Sequence, residues 1–221
     1  MRTEAQLREE ICRIAKSMFD RGLTHGSTGN ISARLDDGWL LTPTGSSLGT
    51  LDPARLSKLD WQGKLISGDK PSKEHFLHLA MYEERAKAVA GTGSATNAGA
   101  VIHLHSTHSV AVSVLADIDV NDVLPPITAY YVMRIGSLPL VPYFAPGDVK
   151  LAGAVRRFAS KHHALLLANH GPVVAGASLS AAADAVEELE ETAKLFLLLQ
   201  EKRIRTLTAG QVAALRAKHG Y

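Results

Sequence analysis

Helical and extended patterns alternate along all 221 residues, with no linker of low-complexity composition between them. That alternation is the mark of one α/β domain, here residues 1–221, with helices on both faces of a sheet. Residues 3–21 carry the first helical pattern. Leu7, Ile11, Ile14, Met18 and Phe19 form an apolar stripe, Thr3 and Gln6 form a capping box, and Gly22 stops the helix. After a polar Gly/Ser/Thr loop over 24–29, residues 30–35 and 39–42 read as strands joined by a turn at Asp36, Asp37 and Gly38. A second two-strand pattern surrounds Gln62 and Gly63. These hairpins argue for a mixed or largely antiparallel sheet rather than a doubly wound one.

Pro71 and Ser72 open a helix that runs to about Lys87. Residues 100–105 read as a strand and 107–115 as a helix. Pro125, Pro126, Pro139, Pro142 and Pro146 punctuate a loop-rich middle section. Beyond it come a helix over 148–160, a buried strand over 164–168 and a further strand over 172–175. The longest helix covers 178–203, capped by Ser178 or Ser180, and a short one starts near Thr208 with Gln211 three residues on.

Composition excludes several function classes. Hydrophobic residues make up 46% and charged residues 21%, which is globular rather than disordered. A net charge of +2, with lysines and arginines scattered among acids, does not suit nucleic acid. The N-terminus is polar, and the most apolar runs, 165–167 and 195–199, are too short to span a bilayer. The single Cys12 shares a helix face with Ile11, Ala15 and Met18 and reads as a core thiol. A cytoplasmic protein is expected.

The chemistry-bearing signal is His103-Leu104-His105. Residues two apart on a strand face the same way, so both imidazoles can converge on one ion. His170 follows the apolar strand 164–168, at a turn marked by Asn169 and Gly171. Three neutral imidazoles and a carboxylate suit zinc. By spacing alone, a chance pair on a strand is as good a reading as a ligand pair, and spacing nominates no particular acid. His75, His78, His108, His162, His163 and His219 read as surface or structural.

Five motifs in order carry a resemblance. Thr28-Gly29-Asn30-Ile31-Ser32, Leu41-Thr42-Pro43-Thr44-Gly45, Pro71-Ser72-Lys73-Glu74, His103-Leu104-His105 and Asn169-His170-Gly171 resemble the class II aldolase/adducin family over nearly the full chain. The resemblance implies a three-layer α/β/α domain with a central mixed, largely antiparallel sheet, and a homotetramer with sites near subunit interfaces. It implies one zinc, or another divalent ion, per subunit, held by Glu74, His103, His105 and His170, with Glu74 also the catalytic acid/base. Gly29, Asn30, Thr44, Gly45, Ser72 and Lys73 match the family's phosphate pocket. Glycines there let backbone N–H groups approach an anion, and hydroxyls donate to its oxygens. In the aldolases a neighbouring subunit's tyrosine donates a proton; Tyr130 or Tyr131 lies in that region, and Tyr221 is a third candidate.

Within the family the resemblance runs to the 3-oxo-tetronate 4-phosphate decarboxylases, through Lys73 before Glu74, Leu124-Pro125-Pro126-Ile127-Thr128 and the acidic run from Glu187 to Lys194. It implies decarboxylation to dihydroxyacetone phosphate and carbon dioxide through a zinc-stabilised enediolate. The alternatives are aldol cleavage of a ketose 1-phosphate such as fuculose 1-phosphate, and a non-enzymatic scaffold like the adducin head. One departure is the stretch 88–99, longer than the family's usual link. Its composition reads as a flexible loop, and Gly91-Thr92-Gly93 lacks the context of a phosphate loop.

Overall fold

The computed structural model describes residues 2–92 and 97–219. Helix α1 (Glu4–Asp20) starts on the expected capping box, Thr3 accepting from the Gln6 amide while the Gln6 side chain accepts from the Thr3 amide. Strands β1 (Asn30–Arg34) and β2 (Trp39–Leu41) pair as a hairpin, and β3 (Ser57–Leu59) and β4 (Leu65–Ser67) as another. Helix α2 (His75–Thr92) leads to β5 (Ala100–His103), then α3 (Thr107–Ser113), α4 (Ala129–Arg134) and β6 (Leu140–Val141). Helix α5 (Lys150–Ala159), β7 (Ala164–Leu167), β8 (Gly171–Gly176), α6 (Leu179–Leu198) and α7 (Ala209–His219) complete the chain.

The strands form one eight-stranded sheet in the order β4-β3-β2-β1-β5-β8-β7-β6. Every neighbouring pair is antiparallel except β6 with β7, so the sheet is mixed and largely antiparallel, as expected. Alternation along the central strands sorts the core into two layers. Ile31, Ile102, Leu166 and Val174 pack with α1, α3, α4 and α6 on one face. Val101, Leu165, Leu167 and Val173 pack with α2 and α5 on the other. The result is the α/β/α sandwich.

Some boundaries differ from the sequence reading. Helix α4 lies in what reads as loop, because six residues are too few for a helical period; the Thr128 side chain caps it by accepting from the Tyr131 amide. Helix α2 continues to Thr92, through the start of the stretch read as a flexible loop, and residues 93–96 lie outside those described. Helix α6 ends at Leu198, five residues early. Cys12 is half-buried at the edge of the core rather than inside it, and its thiol pKa is raised to about 11, chiefly by burial. Among the described residues, no helix is long and apolar enough to cross a membrane.

Candidate metal centre

Three separate parts of the chain meet at one end of the central strands. Strand β5 delivers His103 at its last residue, and His105 follows two residues later, as extended geometry requires. The turn before α2 delivers Glu74: the Ser72 hydroxyl accepts from the Glu74 amide at 3.3 Å. The tight β7–β8 turn delivers His170, with Asn169 held at a left-handed φ of 55°. Gly171 follows at φ 153°, where a Cβ would lie 2.2 Å from the Leu104 carbonyl, so only glycine lets this turn close over the β5 exit.

One donor atom from each of Glu74, His103, His105 and His170 lies within 4.8 Å of the others. The nearer spacings are 3.2 Å between Nε2 of His103 and His105, 3.5 Å from His103 Nε2 to Glu74 Oε2, and 3.3 Å from His170 Nε2 to Glu74 Oε1. Tetrahedral bonds of 2.0–2.1 Å put neighbouring donors roughly 3.3 Å apart. These spacings therefore fit a divalent ion at their centre. Hydrogen bonding agrees: His103 Nδ1 donates to the Pro172 carbonyl at 2.8 Å, which leaves the Nε2 lone pair for a metal.

Electrostatics prepares the same donors. Burial, then repulsion from His103 and His170, lowers the His105 pKa to about 3. Burial and His103 likewise bring His170 to about 4. Burial by itself would raise the Glu74 pKa, but His103, the Asn30 amide, His170 and His105 together hold it below the ordinary value. At neutral pH the centre thus presents lone pairs and a carboxylate, the forms that bind metal.

A cavity of about 740 Å³ opens onto this group. Gly29, Asn30, Thr44, Gly45, Ser72 and Lys73 line it, together with Glu74, His105 and His170. The loops carrying them are tied together: the Thr44 amide donates to the Lys70 carbonyl at 3.0 Å, and the Ser72 amide to the Thr42 carbonyl at 3.4 Å. Gly29 sits at φ +79°, and a Cβ there would come 2.9 Å from the His103 carbonyl. Asn30 is buried, and its amide nitrogen donates to Glu74 Oε2 at 2.8 Å and to the Ser72 hydroxyl at 3.3 Å. Neither tyrosine lines the cavity: Tyr130 on α4 is 60% exposed and Tyr131 is buried, while Tyr221 lies outside the described residues.

Sequence reading missed several residues of the lining, Val110, Pro146 and Gly147 among them, and three polar ones. His25 and Ser27 line the cavity from the 24–29 loop, where the motif beginning at Thr28 drew the attention. Thr107 lines it two residues after His105, as the first residue of α3.

Residues 9–197 match the family model described as the class II aldolase and adducin N-terminal domain. The 3-oxo-tetronate 4-phosphate decarboxylase of Escherichia coli (strain K12) is 52% identical over 217 residues, covering 98% of each chain. An L-fuculose phosphate aldolase of Methanocaldococcus jannaschii is 34% identical over 192 residues, covering 86% of this chain and 96% of that one. The crystal structure of YgbL from Escherichia coli superposes with a TM-score of 0.91 at 50% identity, covering 97% of this chain and 100% of that one. Motif order, sheet topology, the candidate metal group and these similarities agree: the chain belongs to the class II aldolase/adducin family.

Proposed function

We propose that this chain is a metal-dependent carboxy-lyase that converts a 3-oxo-tetronate 4-phosphate to dihydroxyacetone phosphate and carbon dioxide. The observation that carries the reading is full-length similarity to decarboxylases of that name, much above the similarity to the aldolases. The cavity supports it, because a space lined by Gly29, Thr44, Gly45, Ser72 and Lys73 adjoins a three-histidine, one-carboxylate donor set.

In this reading Glu74, His103, His105 and His170 hold zinc, which the donor set favours. When bound, the metal supplies Lewis-acid polarisation of the substrate's keto oxygen. Backbone amides at Gly29 and Gly45, the hydroxyls of Thr44 and Ser72, and Lys73 hold the phosphate, with Asn30 at the floor of the pocket. The substrate carboxylate is β to a ketone. Breaking the C1–C2 bond releases carbon dioxide and leaves its electron pair on C2, delocalised toward the C3 oxygen. Glu74 is ionised at neutral pH, so the proton comes from solvent; Glu74 takes it up and passes it to C2, and dihydroxyacetone phosphate results. One domain, assembled as a cytoplasmic homotetramer in carbohydrate metabolism, completes the proposal. In such an assembly exposed Tyr130, rather than buried Tyr131, is the tyrosine able to serve a neighbouring site.

Aldol cleavage of a ketose 1-phosphate is the second reading, favoured by the aldolase relative and by its need for the same ligands. A coupled assay for dihydroxyacetone phosphate decides between them. Both stereoisomers of the keto acid phosphate are offered beside fuculose 1-phosphate, with and without chelator. Product from the keto acid phosphate alone is expected, and product from the sugar phosphate alone reverses the order. Glu74→Gln is expected to keep its fold and lose about 100- to 10,000-fold in turnover; undiminished turnover removes the role given to Glu74.

A further inference from the structure

From Asn30 in the cavity wall a column of buried polar groups runs inward through Ser32, His78 and Tyr82, and none of these three lines the cavity. Asn30 and Ser32 project from the same face of β1. His78 and Tyr82 follow Glu74 at successive four-residue steps along α2, and so share one helix face. His78 and Ser32 are fully buried, and Tyr82 and Asn30 almost so. His78 Nε2 meets Asn30 Oδ1, His78 Nδ1 lies 2.7 Å from the Ser32 hydroxyl, and that hydroxyl lies 2.8 Å from the Tyr82 hydroxyl. Trp39 stacks on the His78 ring at 6.3 Å between centroids and 12° between planes.

The direction of each bond follows from the carboxylate at the end. Glu74 accepts only, so Asn30 must present its NH2 to Oε2, and Asn30 Oδ1 is then left to face His78. An amide oxygen needs a donor, so His78 carries its proton on Nε2. Burial, reinforced by repulsion from His103, lowers the His78 pKa to about 3, so the ring is neutral and Nδ1 is an acceptor. The Ser32 hydroxyl must donate to that nitrogen. Its other acceptor, the Val101 carbonyl at 3.5 Å, is too far to hold the hydrogen. Tyr82 then donates to Ser32.

We propose that Ser32, His78 and Tyr82 are positioning residues for the metal centre: the column fixes the direction of the Asn30 amide, and through it the carboxylate of Glu74. The opposite tautomer shows why direction matters. With the proton on Nδ1, His78 Nε2 would accept, Asn30 would turn its NH2 toward the ring, and its oxygen would face Glu74 Oε2. Two acceptors at a spacing near the present 2.8 Å repel, and the carboxylate would leave its place among the imidazoles. The inference rests on Glu74 being a ligand, and metal binding by Glu74→Gln measures that separately.

Two measurements test it. In the zinc-loaded wild-type protein, 15N spectra of labelled histidine are expected to show His78 protonated on Nε2 and free on Nδ1. The reverse tautomer overturns the proposal whatever the variants do. His78→Leu is expected to weaken metal affinity, measured by chelator competition, by about 10- to 100-fold, and to lower kcat more than it changes KM. His78→Gln, whose amide can donate from near the Nε2 position, is expected to restore most of both. Ser32→Ala and Tyr82→Phe are expected to give smaller losses in the same direction. A folded His78→Leu protein with wild-type metal affinity and kcat, changed only in Tm, would overturn the positioning role. If it does not fold, the tautomer and the two milder variants decide. Wild-type protein that binds metal as described, yet fails to turn over the keto acid phosphate, removes the decarboxylase reading and leaves the column standing.

Discussion

Lys73 is exposed and lines the cavity on the same turn that supplies Glu74. Two anionic ends of the proposed substrate compete for it, the phosphate and the carboxylate that is lost. If Lys73 holds the phosphate, Lys73→Met removes a charge-assisted hydrogen bond of about 1.5–3 kcal/mol, or roughly 10- to 100-fold in kcat/KM. That loss is expected with the phosphorylated substrate and is expected to vanish with 3-oxo-tetronate itself, while metal content stays at the wild-type level. A loss of equal size on both substrates moves Lys73 to the carboxylate. Sequence reading placed Lys73 in the phosphate pocket by motif but could not choose between phosphate and carboxylate, because a flexible four-carbon stem leaves a lysine's contact undetermined by its position in the chain.

Element α3 shows how a distant helix supports the ligands. It begins at Thr107, two residues beyond His105, and its N-cap Ser106 makes no side-chain cap. The cap comes instead from Glu190 on α6, whose carboxylate accepts from the His108 amide at 2.8 Å, the Ser109 amide at 2.9 Å and the Ser109 hydroxyl at 2.7 Å. His108 Nδ1 adds a contact at 2.8 Å. Burial would raise the Glu190 pKa, but these donors hold it below the ordinary 4.5. A carboxyl whose folded pKa is depressed adds stability that is fully present above its unfolded value and is lost as pH falls through the folded one. Glu190→Gln is therefore expected to cost about 1–3 kcal/mol near neutral pH. For a chain of this size that is roughly 2–4 °C in Tm per kcal/mol. Thermal melts should converge with wild type as pH drops below the carboxylate range; an offset that stays constant with pH assigns the loss to shape rather than charge. The acidic run 187–194 marked this helix in the sequence, yet no periodicity tells which of its glutamates turns inward, since the partner amides lie some eighty residues away. The same distance explains what else was legible. Capping boxes, hairpin turns and the His-x-His strand are local and could be read directly, whereas the convergence of Glu74 with His170, and the inward turn of His78, depend on how the sheet brings β1, α2 and β8 together. The ordered motifs, not the spacing, supplied Glu74. The short helix α4 was missed because its cap is local but its apolar period is too short to register.

Across the whole molecule, the donor set ties together segments that the chain keeps far apart: the turn before α2, the exit of β5 and the β7–β8 turn. Without an ion, backbone pairing holds two of these, because β5 pairs with β8 through His103 and Val173. The α2 turn is held less firmly, through the Pro43–Pro71 bridge and the Asn30 and Ser72 bonds to Glu74. Metal binding to the folded state alone adds about 4 kcal/mol when free metal exceeds Kd a thousandfold. That increment should raise Tm by roughly 8–16 °C at 2–4 °C per kcal/mol. Hydrogen exchange should slow most at residues 72–75 and 169–171, and little in the strand interiors, which are protected without metal. His105→Ala leaves the sheet register untouched, so its metal-free Tm should stay close to that of metal-free wild type while the metal-dependent rise is largely lost. If His105→Ala keeps the full rise, the ion is held elsewhere. A uniform slowing of exchange across the sheet would mean that metal tightens the entire fold rather than pinning the turn before α2, which an isolated bridge rather than a strand ladder ties to its neighbour.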